Sequence, residues 1–375
     1  MLPMPVIWLQ ALLHGYIGWR VAPDLPATWA SAVCAGLLLV SAVLIPVSFI
    51  GHRRRGGNRR AADRLTWIGM LALGHFSMLV VLTLLRDVVL LLALPFNGAP
   101  PQLATWTAVA VPLLAIAATL LGVGGARRIA KLRKIDVPMA GLPAALHGFT
   151  IAQISDLHIG PTVKASYVQA VVDRVNDVGA DIVAITGDLI DGGIADLHSD
   201  VQPLAGLRSR YGSFFVTGNH EYYSGAPEWT AHLRTLGLRV LNNEHVLLGH
   251  GSAQLVLAGV TDFAAHHFVA SDRSDPRQAL AGAPQAAVRV LLAHQPRSAT
   301  AAAAAGFDLQ VSGHTHGGQF WPWNLFVPLQ QPYTAGLHRL QQLWVYVSRG
   351  TGYWGPPMRL GAPSEIAVIR LVSAR

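Results

Sequence analysis

Residues 149–160 read FTIAQISDLHIG, and how this stretch is read decides the rest of the chain. Phe149–Ser155 is a short apolar and β-branched run of strand length, and it ends directly on Asp156 and His158. The same grammar recurs outward along the sequence. A strand over Asp181–Thr186 is followed by Gly187-Asp188-Leu189-Ile190-Asp191, and one over Ser213–Thr217 by Gly218-Asn219-His220-Glu221. Val288–Ala293 then runs into His294, and Leu309–Ser312 into Gly313-His314-Thr315-His316. Ala165–Val178, with Val168, Val171, Val175 and Val178 on one face, and Ala299–Ala305 read as helices between strands. Leu255–Val260, Trp344–Val347 and Ile366–Ile369 add further strands, so the pattern is α/β.

In an open α/β sheet, ligands bind outside the carboxyl ends of the strands. A single histidine there would be read as core or surface, but clusters at five successive strand ends point to a metal centre. Carboxylate, imidazole and amide oxygen without thiolate suit Mn²⁺, Fe or Zn²⁺ at five- or six-coordination better than a structural zinc. Cys34 is the only cysteine, so no intramolecular disulfide forms.

The ordered set Asp-x-His, Gly-Asp-x-x-Asp, Gly-Asn-His-Glu, His, Gly-His-x-His resembles the calcineurin-like metallophosphoesterases over about residues 145–372. Residues 313–319 (GHTHGGQ) with Ser348-Arg349-Gly350 are similar to a membrane-attached bacterial branch of them. The resemblance implies a β-sandwich flanked by helices. It also implies two divalent ions, the first held by Asp156, His158 and His316 and the second by Asn219, His294 and His314, with Asp188 serving both. Two such ions give +4; two carboxylates and a bridging hydroxide leave one positive charge for an anionic phosphate. A pair about 3.5–4 Å apart clamps the attacking and leaving oxygens and lowers the pKa of bound water. By the same resemblance His220 is the non-ligand histidine that protonates or hydrogen-bonds the leaving group, with Glu221 a candidate to orient its ring or touch substrate.

Other residues carry weaker readings. Asp191 is expected to hydrogen-bond within its loop; Asp262, His266 and His267, after the strand Leu255–Val260, are expected in an exposed loop, with substrate contact the alternative. Arg297 and Arg349 are candidate phosphate clamps, with surface ion pairs the plainer alternative. Residues 320–326 (FWPWNLF) follow His316 closely; Trp321 and Trp323 are expected in a core, in an apolar wall for an acyl or prenyl chain, or dipping into the bilayer interface.

Composition separates this polar part from the rest. Of 375 residues 52% are hydrophobic and 13% charged, with a mean hydropathy of +0.39, which argues against a purely soluble protein. Four apolar stretches, about Met4–Val21, Trp29–Ile50, Leu65–Leu94 and Leu103–Val123, suit a bundle of about four transmembrane helices, the short first one being read as a span with an interfacial helix or a signal-anchor as alternatives. In the third, Arg86-Asp87 places the spanning part at Leu65–Leu85 or displaces it toward the charges, and the adjacent charges are read as an anchor or a buried pair. The expected domains are a bundle over 1–125, a basic juxtamembrane linker over 126–147 and the phosphoesterase domain over 148–375.

Residues 1–134 hold 13 Lys and Arg against three acidic residues, whereas 135–375 hold 15 against 17. The net charge of +8 therefore belongs to the membrane third, which argues against a nucleic-acid reader. Arg53, Arg54, Arg55, Arg59, Arg60 and Arg64 share one side of the bundle with Arg127, Arg128, Lys131, Arg133 and Lys134, leaving Arg20 on the other. That places the polar domain in the cytosol, on an inner membrane. The expected function is a membrane-anchored bimetallic phosphoesterase that hydrolyses a phosphodiester or pyrophosphate, on a lipid-linked or nucleotide-sugar-lipid substrate, by metal-activated hydroxide attack. The alternatives are a transporter or sensor with a regulatory phosphoesterase domain, disfavoured because the spans show no ionisable network, and a metal-binding pseudoenzyme.

Overall fold

In a computed structural model, the described residues are 4–51, 59–96, 100–285 and 288–374. Two compact units emerge, residues 1–127 with 355–360, and 128–354 with 361–375.

The first unit contains α1 (Met4–Val21), α2 (Thr28–Gly51), α3 (Arg59–Ala93) and α4 (Pro101–Ala126). Its core joins Ile17, Ile45, Phe76, Ala108 and Val111, while large side chains such as Leu39 and Leu120 point outward, 70% and 67% exposed. A helix apolar on its outer face belongs in lipid. Among the described residues three helices are long and apolar enough to cross a membrane, within Thr28–Phe49, Arg59–Ala93 and Pro101–Ala126, and α1 falls outside that set. The third apolar stretch lies in a helix longer than a bilayer requires. Its helix has 35 residues and runs through Arg86-Asp87 to Ala93, about 52 Å at 1.5 Å per residue.

Arg86 and Asp87 fit the buried alternative better than an anchor, and their main partners come from α1 and the turn after it. Arg86, 3% exposed, is ion-paired to Asp24 and donates to the Arg20 carbonyl at 2.6 Å and Thr107 Oγ1 at 3.1 Å. Asp87 accepts from Tyr16 Oη at 2.6 Å and from Arg20 Nε at 2.9 Å. The helical unit thus contains an ionisable network after all, closed on its own partners. Arg53, Arg54 and Arg55 lie outside the described residues. Within the same unit, Arg359 N donates to the Gly122 carbonyl at 2.8 Å.

In chain order the second unit contains β1 (Lys131–Met139), β2 (Thr150–Ile154), α5 (Ala165–Asn176), β3 (Ile182–Thr186), α6 (Ile194–Val201), β4 (Ser213–Val216), α7 (Asn219–Ser224), α8 (Ala226–Thr235) and β5 (Arg239–Val240). It continues through β6 (Glu244–His250), β7 (Ala253–Gly259), α9 (Pro276–Ala279), β8 (Val288–Leu292), α10 (Ala299–Ala305), β9 (Leu309–Ser312), β10 (Gly336–Leu340), β11 (Leu343–Val347) and β12 (Glu365–Ser373). Two six-stranded sheets result, ordered β1-β12-β2-β3-β4-β5 and β10-β11-β9-β8-β7-β6. The residues expected as a linker are not all linker. Lys131–Met139 pairs in parallel with β12 from Lys131↔Glu365 to Met139↔Ser373, an edge strand whose exposed basic start hides its alternation.

The sheets face one another. Ile151, Ile182, Ala184, Phe214 and Val216 from the first pack with Leu257, Val290, Leu309 and Val311 from the second in one core. The opposite faces are covered as well, so Ile182–Thr186 is buried at every residue and α5 buries Val168, Val171 and Val175. This is the sandwich flanked by helices that the motifs implied. β2, β3 and β4 run parallel, as do β7, β8 and β9, which gathers the carboxyl ends of each set on one side of its sheet.

Candidate functional site

Each motif begins where its strand stops, and the chain turns sharply there. Asp156, His158, Asp188, His314 and His316 all have left-handed φ, between 50° and 71°. Side chains bearing a Cβ rarely adopt this conformation, and such strain concentrates at functional sites. Gly187 shows why the turns need glycine: its φ is 83°, and a Cβ there would lie 2.6 Å from Gly218 N and 2.7 Å from His294 Nδ1.

Asp156, His158 and His316 form one cluster of ligand atoms within 4.8 Å of one another, and Asp188, His294 and His314 form another. In the first, His158 Nε2 lies 3.0 Å from His316 Nε2, and His316 Nε2 lies 3.6 Å from Asp156 Oδ1. In the second, His294 Nε2 lies 3.1 Å from His314 Nδ1 and 3.2 Å from Asp188 Oδ2. Asp188 Oδ2 reaches toward both clusters, being also 3.9 Å from His158 Nε2.

The donor chemistry fits metal ions. His294 Nδ1 lies 2.8 Å from the Thr186 carbonyl, which can only accept, so this nitrogen carries a proton. The His294 Nε2 lone pair is then free to face His314 Nδ1. His158 repeats the arrangement, with Nδ1 at 2.9 Å from Asp191 Oδ1 and Nε2 turned to His316. Imidazole nitrogens turned toward one another among carboxylates call for a cation between them. Asn219 supports the same reading, since its Oδ1 is buried without a hydrogen-bond partner.

Electrostatics agree. Burial resists charge on His294, but the adjacent Asp188 carboxylate outweighs it and holds the pKa well above the ordinary value. The carboxylates around Nε2 therefore favour a positive charge at that place, which a metal ion on the Nε2 lone pair would supply in place of a proton. Burial lowers His314 to about 3, with His294 adding to the effect, so His314 stays neutral and able to ligate.

His220 stands beside these clusters. Its backbone N–H donates to Asp188 Oδ1 at 2.9 Å, and its ring Nδ1 lies 2.6 Å from Asp191 Oδ1. Burial opposes protonation, yet Asp188 and the hydrogen bond to Asp191 hold the pKa at about 9. Asp191 thus reaches well beyond its own loop, bridging His158 and His220.

Glu221 takes neither role expected of it. It is fully buried and accepts from the backbone N–H groups of Gly218 at 2.6 Å, Leu189 at 2.8 Å and Asp188 at 3.0 Å. It ties two motif turns together, and none of these bonds is to the His220 ring. Asp262 is likewise fully buried, accepting from Gln295 Nε2 at 3.0 Å, which corrects its reading as an exposed loop residue.

Arg349 pairs with the buried Glu365 at 3.1 Å. Arg297 donates to the Gln330 carbonyl at 2.7 Å and sits 5.3 Å from the centroid of the Phe263 ring. Trp321 and Trp323 are 42% and 43% exposed, which rules out the core reading, and Leu325, Phe326 and Leu329 continue the ridge. Three aromatics beside His220 escaped the sequence reading. The rings of Tyr223 and Trp354 are centred 5.1 and 5.8 Å from it, and Phe268 packs on Tyr223 at 5.4 Å. Only the repeated Tyr222-Tyr223 after His220 hinted at them.

The family signature described as "Calcineurin-like phosphoesterase" matches residues 149–318. The chain is 36% identical over 276 residues to a "Transmembrane protein with metallophosphoesterase domain" of Danio rerio, covering 72% of this chain and 63% of that one. It is 40% identical over 224 residues to an "Uncharacterized metallophosphoesterase" of Helicobacter pylori, covering 59% of each. A third relative, an "Uncharacterized metallophosphoesterase" of Aquifex aeolicus, is 34% identical over 243 residues, covering 64% of this chain and 91% of that one. Sandwich and site define a metallophosphoesterase domain, and the chain belongs to the calcineurin-like phosphoesterase family. It spans 63% of the length of the Danio rerio relative.

Proposed function

We propose that this chain is a membrane-anchored, two-metal phosphoesterase that hydrolyses a phosphodiester or pyrophosphate bond in a lipid-linked or nucleotide-sugar-lipid substrate. The observation that carries the reading is the shared carboxylate: Asp188 Oδ2 lies 3.2 Å from His294 Nε2 and 3.9 Å from both His158 Nε2 and His220 Nε2. Asp156, His158 and His316 would hold one ion, Asn219, His294 and His314 the other, and Asp188 both. Mn²⁺, Fe or Zn²⁺, when bound in this donor set, would supply Lewis-acid activation of water and positive charge for a phosphate.

The chain's own residues do the rest. His220, fixed through Nδ1 by Asp191, leaves Nε2 to protonate or hydrogen-bond the departing oxygen. Glu221 braces the turns that carry Asp188 and Asn219. The ridge of Trp321, Trp323, Leu325, Phe326 and Leu329 carries no charge, and it is the surface suited to an acyl or prenyl chain in a protein with three bilayer-length helices. Charge asymmetry favours an inner-membrane protein with this domain in the cytosol.

The test is turnover by the purified chain after chelation, with Mn²⁺, Mg²⁺, Zn²⁺ or Fe²⁺ added back, on soluble phosphomonoesters, diesters and lipid pyrophosphates. The account expects metal-restored cleavage, with the lipid substrates preferred. Cleavage of soluble monoesters alone would contradict the substrate class, and metal-independent cleavage would contradict the mechanism.

A further inference from the structure

Gln331 belongs to none of the sequence motifs, yet it is 4% exposed and lies against the second cluster. Its backbone is pinned by a bond from Gln331 N to the Val327 carbonyl at 3.0 Å. The neighbouring chain is held to the Gly-His-x-His turn by Thr315 Oγ1, which donates to the Thr334 carbonyl at 2.6 Å. One terminal atom of the Gln331 amide has four polar neighbours: His314 Nε2 at 3.2 Å, Arg297 Nη2 at 3.0 Å, Arg297 Nε at 3.1 Å and Gln295 Oε1 at 3.2 Å. Two are donors on a guanidinium that cannot lose its charge, one is an acceptor, and the fourth, His314 Nε2, can donate or accept according to its tautomer. Amide orientation is assigned from such networks, and here the donors decide that the atom is oxygen.

The consequence falls on His314. A neutral imidazole has one N–H, and whichever nitrogen carries it cannot bind a metal. A proton on Nδ1 would point at His294 Nε2, 3.1 Å away, and block that side of the cluster. An acceptor at Nε2 draws the proton to the far side. Arg297 anchors that acceptor by two contacts, which fits a guanidinium engaged by the protein better than one reserved for substrate.

We propose that Gln331 is a positioning residue for His314: its amide oxygen accepts the Nε2–H, fixes the tautomer and turns the Nδ1 lone pair toward the second metal position. The proposal rests on the reading that His314 binds one of two ions. Partners of this kind are conserved features of metal sites generally, and losing one weakens metal affinity by about 10–100-fold.

The experiment is Co²⁺ titration of the full chain in detergent, followed by visible absorption and by metal analysis. The wild type should bind two ions. Gln331→Leu removes the acceptor at similar volume, and should weaken one ion by about 10–100-fold while leaving the other unchanged. Gln331→Glu keeps an accepting oxygen and should retain both ions. Should Gln331→Leu fail to fold, nitrogen-15 spectra of the histidine-labelled wild type decide, with the Nε2–H form of His314 expected. Wild-type affinity for both ions in Gln331→Leu, equal loss in both variants, or an Nδ1–H form would overturn the proposal. Fewer than two ions in the wild type would overturn instead the two-metal reading beneath it.

Discussion

His220 Nδ1 and Asp191 Oδ1 lie 2.6 Å apart, and the same carboxylate oxygen is 2.9 Å from His158 Nδ1. One aspartate therefore orients both a proposed metal ligand and the proposed proton donor. The two histidine rings meet edge to face, their centroids 4.6 Å apart, so neither can rotate without disturbing the other.

Asp191→Ala should accordingly reduce kcat by at least about 10–100-fold and weaken the first ion as well, since His158 loses its outer partner. Steady-state kinetics with metal analysis on one preparation checks both. Unchanged kcat with two tightly held ions would remove Asp191 from the site.

His220→Ala should keep both ions and lose kcat by about 10²–10⁴-fold, the usual worth of a positioned acid. The loss should shrink for substrates with acidic leaving groups, which depart without a proton. An equal loss across leaving groups spanning several pKa units would give His220 another task, such as holding the phosphate.

Glu221→Ala should act on the fold. It strips the acceptor from three backbone N–H groups in a fully buried corner, and at about 1–3 kcal/mol for each unsatisfied donor a loss of about 3 kcal/mol or more is expected. Denaturant unfolding of the full chain in detergent measures it. A change below about 0.5 kcal/mol, typical of a surface site, would contradict the brace.

These residues also mark where the sequence could and could not be read. Strand ends were legible because short apolar runs stop abruptly on Asp156, Asp188, Asn219, His294 and His314, and the structure ends β2, β3, β4, β8 and β9 within three residues of those positions. β1 was not, because its first residues, Lys131, Arg133 and Lys134, are a juxtamembrane charge run and a strand edge at once. Glu221 and Asp191 lie inside the motifs, but which group each bonds is decided by turns from separate strands. Gln331 has no local signal at all. Its role comes from a loop folding back on His314, a contact between distant positions that periodicity does not register.

The membrane orientation rests on charge alone and has its own test. Fusions after Arg375 should be active with a cytosolic reporter and silent with a periplasmic one. The reverse would move the catalytic domain across the membrane and take cytosolic nucleotide-linked lipids off the substrate list.

The central claim is that two ions share Asp188, and metal analysis with hydrolysis of wild type and Asp188→Ala, after chelation and metal add-back, tests it most directly. The account predicts two ions per chain and restored turnover in the wild type, and fewer than two ions with no metal-dependent turnover in Asp188→Ala. Full metal-dependent hydrolysis by Asp188→Ala would contradict it.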